Sequence, residues 1–217
     1  MARRLPHPPS LRRSQNTTSP KVELFISCEG ENTEPKYFEN CVSHYGAGLV
    51  KLTILPKTGV PLTVVRAAII ERERLLSERR SSRDSFDSCF RVWAVFDCDE
   101  HPKISEAMEL AAKHRVDVAF SNPCFELWPL LHLEDYGAQD GRQSLQSRLA
   151  QLMPSYKHDQ EALVDFDQIK DEVMVAVERA RKHVRARDLE ACPLGNPSTT
   201  VGELVLKIIQ NGKRRPP

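Results

Sequence analysis

Three stretches of the sequence end an apolar run in acids. FISCEGENTEP, 25–35, stops at Cys28 and then places Glu29, Glu31 and Glu34 within six residues. FRVWAVFD, 90–97, leads into Asp97–Cys98–Asp99–Glu100. VDVAF, 116–120, leads through Ser121–Asn122–Pro123 to Glu126 in CFELW. Side chains two residues apart in extended chain point the same way. Asp97 and Asp99 are thereby suited to share one hard cation, and an oxygen-only ligand set suggests Mg²⁺ or Mn²⁺ rather than Zn²⁺. Such a cation stabilises charge on a phosphate and can activate water. Glu29 is then a second ligand or the general base or acid. Glu126 lies in an apolar context, where a carboxylate needs a partner. It either completes the metal site or accepts backbone N–H bonds.

The elements that must position these acids alternate. KVELFISC (21–28), LVKLTILP (49–56), FRVWAVFD (90–97) and VDVAF (116–120) read as strands. Helices are expected from Thr33 to about Tyr45, from Pro61 to about Arg80, and from Pro102 to His114. Another is expected to be capped by Ser121–Asn122–Pro123 and to run through CFELWPLLHL. Four strand–helix alternations predict an α/β fold with a mostly parallel sheet and helices on both faces. Sites in such sheets form beyond the carboxyl ends of the strands. A DxD or a strand-end Glu alone more often decorates a turn or caps a helix. Their recurrence at matching ends of successive units is what points to chemistry. Beyond about residue 136 the chain reads as helical. One apolar stripe runs through Ile169, Val173, Val177, Ala180 and Val184. A second helix, 199–210, is expected to open with a capping box from Thr200 to Glu203.

Other residues near the predicted edge carry weaker signals. His101 follows the DxD and can contact phosphate or donate a proton. His132 reads as a hydrogen-bonded core or boundary histidine. Lys157, in YKHD, can offset charge developing on a phosphate, although a lysine is more often simply exposed. Lys57, in the turn Lys57–Thr58–Gly59, can hold phosphate. Cys28, Cys98 and Cys124 with the two histidines offer a zinc alternative, but their spacing matches no zinc motif. No GxxxxGK[ST] is present, so ATP hydrolysis by this chain is not expected.

Composition separates body from termini. The net charge of the 217 residues is +1. Eight of the 31 bases, including Arg3, Arg4, Arg12 and Arg13, lie in residues 1–21 and 213–217, which hold no acid. The other 23 face all 30 acids, so the body carries about −7. Two basic arms on an acidic body suggest contact with a polyanion. The proline-rich segment 1–20 reads as a disordered arm rather than a signal peptide. No run approaches a membrane span, and six cysteines without a CxxC pair suggest reduced thiols in the cytoplasm.

The blocks CEGENTEPKYFENC, VFDCDEH, SNPCFELWPLLHLE, YKHD and NPSTTVGELV, in that order, resemble the RloB-like protein family over roughly residues 21–210. The resemblance implies a Toprim-like, Rossmannoid α/β domain in which Glu29, Asp97 and Asp99 bind Mg²⁺ (or Mn²⁺) for phosphodiester chemistry. Cys98 departs from the basic or polar residue expected between the two aspartates. The resemblance also implies an effector nuclease of a bacterial phage-defence or abortive-infection system, working beside an ATPase of the ABC/OLD type. The expected layout is a basic arm (1–20), a Toprim-like domain (21–135), a helical segment packed on it (136–212) and a basic tail (213–217). The nucleic acid is RNA, for which tRNA is plausible, or DNA. A homo-oligomer is compatible with the sequence. Two other readings stay open: a non-catalytic docking module of the ATPase complex, and a metal-dependent nucleotide phosphohydrolase.

Overall fold

A computed structural model describes residues 21–56, 59–81, 89–98 and 103–212. Both basic termini, Lys57, Asp99 and His101 lie outside the described residues. The apolar runs form β1 (Val22–Cys28), β2 (Val50–Ile54), β3 (Cys89–Asp97) and β4 (Asp117–Asn122). Between them run α1 (Thr33–Tyr45), α2 (Pro61–Ser81) and α3 (Ile104–Lys113). The rest of the chain forms α4 (Leu127–Leu133), α5 (Arg142–Leu152), α6 (Phe166–Ile169), α7 (Val173–Leu189), a short β5 (Ser198–Thr199) and α8 (Val201–Asn211). No helix among the described residues is long and apolar enough to cross a membrane.

The five strands form one sheet in the order β2-β1-β3-β4-β5. The first four are mutually parallel and β5 is antiparallel to β4. Alternation along the strands divides the core. Val22, Leu24, Ile26 and Cys28 of β1 pack with Trp93, Val95 and Ala119 and with residues of α1, α4, α7 and α8. Phe25, Val92, Ala94, Phe96 and Phe120 face the other way, towards α2 and α3. Both faces are thus covered, as a parallel sheet requires. Asp97 shares the parity of Trp93 and Val95, so it stands on the side covered by α1 and α4.

The structure differs from the sequence reading at four places. Strand β4 runs on through Asn122, the Asn122–Pro123 peptide is cis, and α4 begins only at Leu127. Pro123 therefore does not open a helix, and Glu126 precedes one. The reason lies in β5, which two residues are too short to announce by periodicity. Ser121 Oγ and Thr199 Oγ1 hydrogen-bond at 3.0 Å, and Asn122 Nδ2 donates to the Leu194 carbonyl at 2.9 Å. These contacts hold Ser121 and Asn122 as strand. The Thr200–Glu203 capping box does not close. Thr200 Oγ1 instead accepts from the Phe120 amide at 2.9 Å, and Glu203 pairs with Arg181 at 2.8 Å. The stripe from Ile169 is buried through Ala180, but a 3-10 turn at Lys170–Glu172 splits its helix in two.

Helix α8 meets α4 and α7 at Gly202. A Cβ there would lie 3.1 Å and 3.2 Å from Trp128 ring carbons and 3.3 Å from Val177 Cγ2. Trp128 is fully buried and has little room to yield. Alanine normally adds about 1 kcal/mol to a helix relative to glycine, while overpacking a tight core costs about 1–3 kcal/mol. Gly202→Ala should therefore lower stability by about 1 kcal/mol on balance. Urea midpoints measure this, and a raised midpoint would show that Trp128 can move.

Candidate active site

The chain leaves β1 towards β2 on one side and passes from β3 to β4 on the other. The crevice between β1 and β3 is thus the switch point at which open parallel sheets bind ligands. Glu29 follows β1 and Asp97 ends β3. The Glu29 amide donates to the Val95 carbonyl at 3.0 Å, and the Asp97 amide donates to Glu29 Oε2 at 3.1 Å. The Gly59 amide donates to the Glu29 carbonyl at 3.3 Å, bringing the turn after β2 to the same edge. The first turn of α1 adds Glu34, whose Oε1 accepts from the Gly30 amide at 3.3 Å. A Cβ at residue 30 would lie 2.3 Å from Glu34 Oε2, so the close approach of this carboxylate requires glycine. The turn 123–126 crosses above Asp97 and brings Glu126. Its Phe125 backbone lies near enough to the Asp97 carboxylate to favour its charged form.

Glu34, Asp97 and Glu126 are all buried and Glu29 is partly so. Burial pushes the Asp97 carboxyl well above the usual range, and repulsion from Glu34, Glu126 and Glu29 adds to it. The Phe125 backbone opposes the rise. Burial also raises Glu34 to about 7, helped by Glu126 and Glu29 and opposed by backbone donors. Arg142, at the start of α5, reaches Asp97 Oδ2 at 3.4 Å.

Glu126 finds side-chain partners rather than backbone amides, which were one of the two roles its sequence left open. Its Oε1 accepts from Tyr156 Oη at 2.6 Å and from Gln146 Nε2 at 3.2 Å, and lies 3.5 Å from His158 Nδ1. Burial and the neighbouring Glu126 push the Tyr156 hydroxyl up, so it stays a protonated donor. Beside this cluster is a cleft of about 750 Å³, lined by Arg142, Gln143, Gln146, Tyr156, Lys157 and His158 among others. Lys157 is exposed on its wall. His132 is elsewhere: it is buried, its Nδ1 lies 2.9 Å from the Trp128 carbonyl, and burial lowers it to about 4. It is a neutral core histidine. Cys28 and Cys124 are buried, and burial raises both thiols. Among the described residues, no three His, Cys, Asp or Glu side chains are grouped as a ready-made metal cage.

A family model described as RloB-like protein matches residues 24–208. The chain belongs to the RloB-like protein family. No curated protein and no solved structure matches it. The RloB-like blocks that are far apart in sequence meet in space. Those around Glu29, Asp97, Glu126 and Tyr156 build the acidic edge, and NPSTTVGELV supplies the strand and helix that brace β4.

Five residues of the edge were not singled out by the sequence reading as site residues: Glu34, Arg142, Gln146, Tyr156 and His158. Glu34 had a signal in Gly30, four residues earlier in the loop that leads into α1. Tyr156 and His158 flank Lys157 in a quoted block, but only the fold shows that they turn inwards to Glu126. Arg142 and Gln146 lie one turn apart on α5 and had no signal of their own.

The raised Glu34 carboxyl fixes a pH dependence. Its folded form holds a proton more tightly than the unfolded chain. The stability this contributes is fully present below about pH 4.5 and is lost as pH rises through about 7. The loss is about 3 kcal/mol, and Asp97 acts in the same direction. In metal-free buffer, Glu34→Gln should gain stability relative to wild type at pH 8 and little at pH 4. Urea midpoints at the two pH values measure the difference. Equal effects at both would show that Glu34 is not held protonated.

Proposed function

We propose that this chain is a metal-dependent phosphodiesterase acting on nucleic acid, through a Toprim-like arrangement of Glu29, Asp97 and Asp99. The observation that carries the reading is the gathering of Glu29, Glu34, Asp97 and Glu126 at the β1/β3 switch point, beside a polar cleft bearing Arg142, Lys157 and His158. Burial first and repulsion from neighbouring acids second raise Asp97 and Glu34, a demand that a cation can meet, and hard oxygen donors fit Mg²⁺ or Mn²⁺. Asp97 and Glu29 would hold the ion, with Asp99 beyond the described residues as the third donor. When bound, the ion supplies charge stabilisation at the phosphate and a more acidic water.

The chain's own groups have separable roles. The Asp97 amide holds Glu29 Oε2 and fixes its carboxylate. Arg142 joins the acids to the cleft, where it can pair with a phosphate oxygen. Lys157 adds a positive charge at the cleft wall. The basic residues Arg3, Arg4, Arg12, Arg13 and Lys57 would hold the backbone of a polymer substrate, giving salt-dependent binding. The family resemblance supports the wider role: an effector of phage defence or abortive infection, acting in the cytoplasm on RNA such as tRNA, or on DNA, with an ABC/OLD-type ATPase as partner. A cleft of about 750 Å³ is also the size of a small-molecule site. It favours a mononucleotide substrate as the second reading.

Purified protein incubated with Mg²⁺ or Mn²⁺ and bulk tRNA, single-stranded DNA or nucleotides tests both. Cleavage should be cation-dependent and should fall by about 100-fold or more in Asp97→Asn, since even outer-shell changes at metal sites cost about 10–100-fold. Mn²⁺ should raise the melting temperature of wild type and not of Asp97→Asn. Cleavage of nucleotides alone selects the second reading. A Mn²⁺ response and activity that both survive in Asp97→Asn would sink the metal site. No cleavage, even on co-expression with the ATPase, would leave a docking module.

A further inference from the structure

His158 has an arrangement that the acidic cluster does not need for binding a cation. Its Nδ1 lies 3.1 Å from Tyr156 Oη and 3.5 Å from Glu126 Oε1. Tyr156 is already the donor in its 2.6 Å bond to Glu126. The phenol oxygen therefore presents a lone pair to His158, and Nδ1 must bring the proton. A chain results, from His158 Nδ1–H to Tyr156 O–H to the Glu126 carboxylate. It fixes the ring's tautomer, as a hydrogen bond at one imidazole nitrogen does for the other. With Nδ1 turned to Tyr156 and Glu126, Nε2 is the nitrogen left for the cleft that His158 lines. Tyr156 is fully buried and Glu126 nearly so, whereas the His158 side chain is 46% exposed. The anchor is rigid and the working end is open.

We propose that His158 is the proton donor to the leaving oxygen of a phosphodiester bound in this cleft, oriented by the Tyr156–Glu126 pair. The inference rests on the phosphodiesterase reading above. In the step, a water oxygen forms a new bond to phosphorus as the bond to the leaving oxygen breaks. The electron pair of the broken bond goes to the leaving oxygen, which takes the Nε2 proton of the doubly protonated His158 ring and leaves the ring as its neutral Nδ1–H tautomer. The proton of the water passes to solvent, and His158 is reprotonated from solvent. Tyr156, Glu126, Arg142, Lys157 and Asp159 are the titratable or charged groups around the ring or along the cleft. Arg142 and Lys157 hold the phosphate charge while the proton moves.

The test varies the leaving group. A p-nitrophenyl ester of thymidine 5′-phosphate releases p-nitrophenolate, which needs no proton. A nucleic-acid strand or dinucleotide releases an alkoxide, which does. His158→Ala and His158→Gln should lower strand or dinucleotide cleavage by about 10²–10⁴-fold while lowering p-nitrophenyl ester cleavage less than about tenfold. Tyr156→Phe should show the same selectivity to a smaller degree. Equal losses on both substrates, or none, would overturn the proton role while leaving the phosphodiesterase reading intact. Failure of wild type on every substrate would remove that reading, and this one with it. Nitrogen-15 NMR of histidine-labelled protein gives a readout independent of turnover. His158 should be the Nδ1–H tautomer in wild type and lose that preference in Tyr156→Phe. An Nε2–H tautomer in wild type would overturn the proposal.

Discussion

Like charges held out of water at one point dominate this molecule. Glu34, Asp97 and Glu126 are buried within reach of one another, with Glu29 beside them. Such a group is costly to assemble, so much of the local structure can be understood as what makes it tolerable. Backbone amides of Gly30 and Asp97 point at carboxylate oxygens. Tyr156 and Gln146 are committed to Glu126, and Arg142 to Asp97. Protons or a cation must supply the rest. The edge is therefore a place of stored electrostatic demand rather than a source of stability, and this is the usual mark of a working site.

The sheet explains how residues so far apart in sequence come to share that demand. Parallel pairing in the order β2-β1-β3-β4 brings the carboxyl ends of four strands to one edge, and the reversal of strand order at β1/β3 opens a crevice there. The register aligns Asp97 with Ser121 and Cys28 with Val95, so the acids arrive at nearly one level. Helices α1 and α4 then close one side. The apolar packing is conventional, and its task is to hold the edge.

The strands and first three helices were legible because their signals are local: apolar runs of strand length, and helix starts such as Thr33–Glu34–Pro35. Glu29 and Asp97 were legible for the same reason, as acids at the ends of such runs. What escaped depends on distant partners. β5 has only two residues, and its strand character comes from pairing with Ser121 and Asn122. Thr200 looked like a cap because its sequence neighbours suit one, yet its hydroxyl bonds to the backbone of β4. Glu126 was correctly seen to need a partner, but that partner lies 30 residues on, in Tyr156. His158 drew no notice because its meaning exists only once Tyr156 and Glu126 are side by side.

The late arrival of β5 has a consequence for the chain during synthesis. The ribosome delivers Glu29, Asp97 and Glu126 well before residues 142–158, which anchor Glu126, and before Ser198–Thr199, which completes the sheet. Until then one edge of β4 is open and the Glu126 carboxylate is without its tyrosine. A chain that has not yet been synthesised past Thr199 thus carries the acids without the geometry, and assembly of the acidic edge waits for β5.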